Sequence, residues 1–330
     1  MNYKKALSFL CAGGLCVVAV LMSLCLGAAN LTIGQLGQAI ANGPKNTAGY
    51  IFYYVRLPRT AACLLSGAAL SVSGAVIQEV LHNKLASPGI IGVNAGAGLA
   101  VTLCCAFAAM SGWVIAVSSF VGAMLSVLLV MITSEKTGAS RTTVILGGVA
   151  VSSFLSALSE AVTTVIPDAA ALSVDFRVGG FSSVSYTRLI PAGVLILVAI
   201  VVIMTMHNEL DVLALGDDTA HSLGLPIKKI RTVLLVLAAM LAGASVSYSG
   251  LLGFVGLIVP HTARKLVGGQ SGTLLPLCAL GGAGFVTICD LFARMAFAPY
   301  ELPVGILMSL LGGPFFVLLL MKKKGGRRHD

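Results

Sequence analysis

Long apolar stretches follow one another along almost the whole chain, separated by short polar connections. Residues 6–29, 60–80, 89–110, 113–133, 142–166, 189–206, 230–246, 274–297 and 302–321 are each long enough, or nearly so, to cross a hydrocarbon core of ~30 Å as a helix. A shorter apolar segment, 254–265, is flanked by glycine and interrupted by Pro260. It predicts a tenth, partial helix, tolerated only where it is buried in protein or lines a cavity. The pattern predicts an all-α polytopic membrane protein of about ten transmembrane helices, with residues 1–330 forming one domain. Small residues recur at 66–69, 73–75, 92–98 and 281–284 and predict close helix packing. Prolines punctuate the pattern. Pro88 opens the third stretch, Pro167 ends the fifth, Pro226 closes the longest inner connection, and Pro303 and Pro314 sit near the two ends of the last.

Composition agrees. The 330 residues are 57% hydrophobic and 10% charged, where a soluble domain carries about 25% charged residues. So few charges cannot cover a water-facing surface, and membrane lipid is the expected partner of most of it. At the N-terminus Lys4 and Lys5 precede an apolar run longer than the roughly 7–15 residues of a signal peptide, which predicts a retained first helix. If about ten helices start inside, most of the 21 lysines and arginines face the cytoplasm. Only Lys45, Arg56, Arg59, Arg177, Arg188 and Arg294 face outward. That bias puts both termini inside. The net charge of +9 is mostly this signal, with a basic cytoplasmic tail at 322–330 drawn to anionic lipid. It implies no nucleic-acid partner.

Several chemistries are excluded. The eight cysteines lie in apolar stretches without a Cys-x-x-Cys, and the five histidines make no His-x-x-x-His pair, so no metal site is expected. No nucleophile stands with a base in the pattern of an enzyme. No Gly-Lys dipeptide occurs, and a Walker A loop needs one. The chain is therefore not an ATPase, and its energy must come from elsewhere. An ion-driven transporter needs ionisable groups inside the membrane. Only Glu160 and Asp290 lie deep in apolar sequence, and Arg294 stands one turn from Asp290, where it can pair. Glu160 is a pathway candidate, or else a solvated residue near the outer end.

Two further features carry function. Arg56-Leu57-Pro58-Arg59 places two cations at the mouth of the second stretch, as docking charges or as interfacial anchors. The connection 207–231 holds Leu213, Leu215, Gly216, Asp217, Asp218, Ala220, Leu223 and Gly224. Asp217 and Asp218 suit the first turn of a helix and Gly224 its stop. Leu215, Ala220 and Leu223 would form a small apolar face. This is a docking element projecting into the cytoplasm, or only a tidy loop.

The chain resembles the FecCD family of permeases of type II ATP-binding-cassette importers for iron–siderophores, haem and cobalamin. The likeness lies in Arg56-Leu57-Pro58-Arg59, residues 81–92, 215–226 and 250–261, Asp290-Leu291-Phe292-Ala293-Arg294, and Glu301-Leu302-Pro303-Val304-Gly305. It departs at Lys84, where the family usually has proline, and at 176–180, where a tryptophan-rich stretch is common. The resemblance implies ten helices per subunit and a pathway on the axis of a homodimer, or of a dimer with a paralogous permease. It implies two cytoplasmic ATPases, which hold the ATP and magnesium, so that this chain itself carries no cofactor. It implies an external binding protein whose acidic residues meet Arg56, Arg59 and Arg294. It assigns 213–225 to ATPase coupling and Asn83 and Leu85 to the inner gate. An iron–siderophore is the expected cargo, with haem and cobalamin as alternatives, in a bacterial cytoplasmic membrane.

Overall fold

The computed structural model describes residues 3–27, 33–107, 111–136, 141–298 and 300–324, and among these every regular element is helical. In chain order they are α1 (Tyr3–Cys25), α2 (Ile33–Asn42), α3 (Thr47–Ile51), a π-helical turn (Phe52–Arg56), α4 (Leu57–Val80), α5 (Val93–Phe107), α6 (Gly112–Lys136), α7 (Arg141–Val165) and α8 (Pro167–Val178). Then come α9 (Tyr186–Thr205), α10 (His207–Ala214), α11 (Asp217–Ser222), α12 (Ile227–Ser249), α13 (Val255–Val267), α14 (Ser271–Met295) and α15 (Val304–Lys324). Among the described residues seven helices are long and apolar enough to span a membrane. With the shorter α5, α13 and α15 they give about ten. Of the basic tail, residues 325–330 lie outside the described residues.

The second span begins earlier than expected. It runs without a break from Thr47 to Val80, so Arg56 and Arg59 lie within a continuous helix rather than at its mouth. Pro58 has no N–H to give the helix. The π-turn just before it absorbs the gap, with Leu57 N donating to Phe52 O. Pro167 ends α7 as expected but also starts α8, at a position where its missing N–H is no loss. Pro260 does not interrupt the half-span. It lies inside α13. Pro314 likewise falls inside α15 rather than near its end.

Helix α4 is the centre of the bundle. Of its most apolar window 78% is buried, against 11% for α1 and 17% for α7. A Cβ on Gly67 would collide with the Gly282 carbonyl of α14, and one on Gly74 with the Gly256 carbonyl of α13. The backbones therefore touch, as small residues permit in membranes. Hydroxyls and an amide stitch the contacts. Ser71 Oγ donates to Cys278 O at 2.6 Å, Ser73 Oγ to Ala238 O at 2.6 Å, and Gln78 Nε2 to Gly256 O at 2.9 Å.

Polar contacts sort the helix ends onto two faces. One face gathers the start of α1, the end of α4 and the starts of α7, α12 and α14. The other gathers the end of α1, the start of α4 and the end of α14. The first carries most of the lysines and arginines and is called the inner face below.

Candidate functional site

At the outer face the three predicted docking arginines meet. Arg59, three residues past the π-turn, reaches across to α14. Its Nε and Nη2 donate to Asp290 at 3.1 and 3.0 Å. Its Nη1 donates to Glu301 at 2.8 Å, just before α15. Asp290 also faces Arg294 Nε at 3.1 Å, the expected pairing one turn along α14. Arg294 Nη2 donates to Ser23 of α1, whose hydroxyl shares a bond with Thr60. Arg56 Nη1 donates to Leu24 O at 2.6 Å. A Cβ on Gly27 would lie 3.3 Å from Arg56 Nη2 and 3.8 Å from Arg294 Nη1, so these two guanidiniums converge there. All three arginines are buried, and Asp290 is 1% exposed. They are not fixed cations standing at a surface, nor side chains snorkelling into lipid. They form one network in which a single central carboxylate is shared by two guanidiniums. The fork of arginine suits such bidentate contacts. Glu301, 37% exposed, is its most open member. Sequence reasoning had Glu301 in a motif but gave it no role, because its partner is far away in the chain.

At the inner face the connection 207–231 folds as two short helices. Gly216 takes φ +116 between them, which favours glycine. Gly224 ends α11 with φ +79. Gly224 N donates to His221 O and Leu225 N to Ala220 O, a double-bonded glycine stop. The expected apolar face of Leu215, Ala220 and Leu223 splits. Ala220 and Leu213 turn into the core, while Leu215 and Leu223 stand 65% and 63% exposed. Asp218 is exposed. Asp217 is held by Arg141 of α7 at 2.6 Å and Arg231 of α12 at 2.7 Å, contacts that helix-dipole reasoning did not foresee. His82 Nε2 bonds Leu213 O at 2.7 Å, and Ser271 N donates to Asp211 at 2.7 Å. The two short helices are thus tied to α4, α7, α12 and α14.

Asn83 and Leu85 sit in the turn beyond α4, half-buried. Asn83 Oδ1 accepts from Leu85 N at 3.0 Å, so the amide shapes its own loop, and Lys84 beside it is exposed. His82 joins this loop directly to α10. Glu160 lies on an exposed face of α7, near its outer end. The structure does not bring it to Asn83 and Leu85, which are at the inner face. Among the described residues no cluster of three His, Cys, Asp or Glu could hold a metal ion.

Asp217 supplies a pH test. Burial pushes its carboxyl up, but Arg231 and Arg141 more than offset this, and it titrates below the usual carboxylate value. A depressed value means that the ionic clamp is complete above the ordinary range near ~4 and is lost as pH falls through the lowered value. Asp217→Asn should therefore reproduce at neutral pH what acid does to the wild type. The backbone amides of 213–225 are expected to exchange with deuterium several-fold faster. An Asp217→Asn protein whose 213–225 amides exchange as slowly as wild type would show that the clamp does not hold these helices.

The chain matches the model of the FecCD transport family over residues 15–322. It is 33% identical over 311 residues to the hemin transport system permease protein HmuU of Yersinia pestis, covering 92% of this chain and 93% of that one. It is 35% identical over 322 residues to the iron(3+)-hydroxamate import system permease protein FhuB of Bacillus subtilis, covering 95% and 83%. A solved structure of an inward-facing metal-chelate type ABC transporter superposes with a TM-score of 0.86 at 29% identity, over 96% of this chain and 99% of that one. All-helical architecture, sequence and superposition agree: this chain belongs to the FecCD transport family, as a multi-pass membrane permease.

Proposed function

We propose that the chain is the transmembrane subunit of an importer that moves a bulky iron chelate, an iron–siderophore first of all, by alternating access. The inner face carries the reading. Two short helices present Leu215 and Leu223 to the outside and are tied to four spans behind them. A paired apolar projection on a braced base suits a groove on a soluble protein, and the chain itself lacks an ATP-binding loop. The partner on that face is a cytoplasmic ATPase. On the opposite face the arginine network receives an external binding protein. A second copy of the chain, or a paralogous permease, covers α7. Glu160 on that little-buried helix would otherwise meet lipid, which is costly for a carboxylate. The membrane is the cytoplasmic membrane of a bacterium, with both termini inside. The cargo reading rests on the metal-chelate and iron–hydroxamate relatives.

Reconstitution tests this. In proteoliposomes holding the chain and its ATPase, uptake of radiolabelled ferric hydroxamate should require both internal ATP and the external binding protein. Uptake that follows an ion gradient without nucleotide would overturn the reading. Titrating the binding protein with ferric hydroxamate, haem and cobalamin ranks the cargoes.

A further inference from the structure

A groove of about 530 Å³ runs along one flank of the bundle. Its walls are α1 from Leu7 to Leu15 and α13 from Ile258 to Leu266, and its floor is α14 from Leu277 to Phe285. Each stretch covers about 12 Å at ~1.5 Å per residue. That is most of one leaflet, roughly half of a ~30 Å hydrocarbon core. Small residues hollow the groove. Ala12, Ala263 and Gly281 line it, and a Cβ on Gly281 would meet only Val259 Cγ1, at 3.6 Å. Leu7, Leu15 and Leu266 on its rim are exposed. Lys5 Nζ donates to Gln270 Oε1 at 3.5 Å, just before α14, so the Leu7 end of the groove lies at the inner face.

We infer that this groove holds an anionic phospholipid of the inner leaflet, with an acyl chain laid along α14 and the phosphate between Lys4 and Lys265. Charge and register carry the inference. Residues three and four apart share a face of a helix. Lys4 therefore continues the stripe of Leu7 and Ser8 on one wall, and Lys265 that of Thr262 on the other. Both lysines are exposed, and Lys5 is half-buried beside the first. Among the described residues none of the three forms an ion pair. Arg264 does not join them, being committed to Glu79 at 2.9 Å and Gln78 at 2.8 Å. An apolar slot with unpaired cations at its inner mouth complements a lipid with an anionic head and an apolar tail.

Apolar contact alone does not choose the occupant, because a lipid tail is as apolar as leucine. An empty slot forfeits dispersion contacts, so some chain fills it. The lysines decide which headgroup that chain carries. The second permease copy is placed elsewhere. Helix α7 packs on α5, α6 and α8, whereas α1 packs on α14, α13 and α4. A dimer built on α7, as proposed above, does not draw on the helices of the groove. The lipid also has work to do. Only 11% of the most apolar window of α1 is buried, and an acyl chain supplies the packing that α1 lacks against α13.

The test is native mass spectrometry of the whole transporter with its ATPase, stripped of lipid in detergent. It is titrated with phosphatidylglycerol or with phosphatidylcholine of the same chains. Wild type should retain one phosphatidylglycerol per permease copy about tenfold more tightly than phosphatidylcholine. Lys4→Gln with Lys265→Gln should bring the two lipids level. Gly281→Leu fills the groove from its floor and should lose the retained lipid of either kind. Cys11→Trp fills it from the exposed rim, where no core contact is disturbed, and decides the matter if Gly281→Leu melts early. Equal retention of the two lipids by wild type would overturn the inference. So would phosphatidylglycerol held undiminished by Cys11→Trp. A lipid-free transporter that doubles its mass, and loses that association in Cys11→Trp, would make the groove a contact between copies of the chain and overturn it as well.

Discussion

Arg59→Ala is expected to destabilise the protein by about 3–5 kcal/mol, because it leaves Asp290 buried with half of its compensation gone. Arg294 alone would face that carboxylate, through one contact. Arg59→Lys should recover only part of the loss, since an ammonium cannot reproduce a fork that contacts Asp290 and Glu301 at once. Thermal melts of the purified chain in detergent, at one fixed scan rate, measure the order: wild type, then Lys, then Ala. An Ala variant that melts with wild type would mean that the network is far more hydrated than its burial shows. The same contact decides how docking must be probed. Reversing Arg59 to Glu sets two carboxylates side by side in a buried site, so a lost response to the binding protein would report misfolding. Arg56→Glu is the cleaner reversal. Arg56 meets Arg294 at Gly27, and a carboxylate introduced there has a guanidinium beside it.

The second large effect belongs to the inner face. Replacing Leu215 and Leu223 together by Asp should weaken ATPase binding about a hundredfold or more. Apolar side chains at the centre of an interface commonly carry 2 kcal/mol or more each, and a carboxylate in their place must be desolvated without a partner. Neither leucine packs in the permease core, so the variant should fold and melt like wild type. Co-purification of the tagged chain with its ATPase reads the result. Full retention of the ATPase would remove the two leucines from the interface. Gly216→Asp differs in kind. Its φ of +116 strains any side chain, and the link between α10 and α11 would deform.

The spans were legible in the sequence because lipid imposes a simple rule of length and polarity, and the half-span α13 was found through its flanking glycines. The two-faced distribution of lysine and arginine was legible for the same reason. What escaped was what depends on long-range proximity. Nothing local in Arg59 announces Asp290 and Glu301, more than two hundred residues away. Nothing in Asp217 announces Arg141. Glycine conformations at Gly216 and Gly224 were easier, since a helix stop is a local event. The face assigned to Leu215, Ala220 and Leu223 failed because the two leucines cap the C-terminal ends of α10 and α11, and only Ala220 lies within a helix. The earlier start of the second span was hidden by Pro58, whose break in hydrogen bonding is repaired by the π-turn.

The backbone contacts of α4 bear on how such a protein can change over generations. Gly67, Gly74, Gly256 and Gly282 tolerate no side chain, because each approaches a neighbouring backbone or the atoms directly upon it. A mutation at any of them disturbs the whole frame at once. The exposed flank of α7 is under no such restraint from its own chain, and substitutions there leave the central column untouched. Heritable variation is thus channelled to the flank of α7, and a descendant can remodel that surface without having to reinvent the fold.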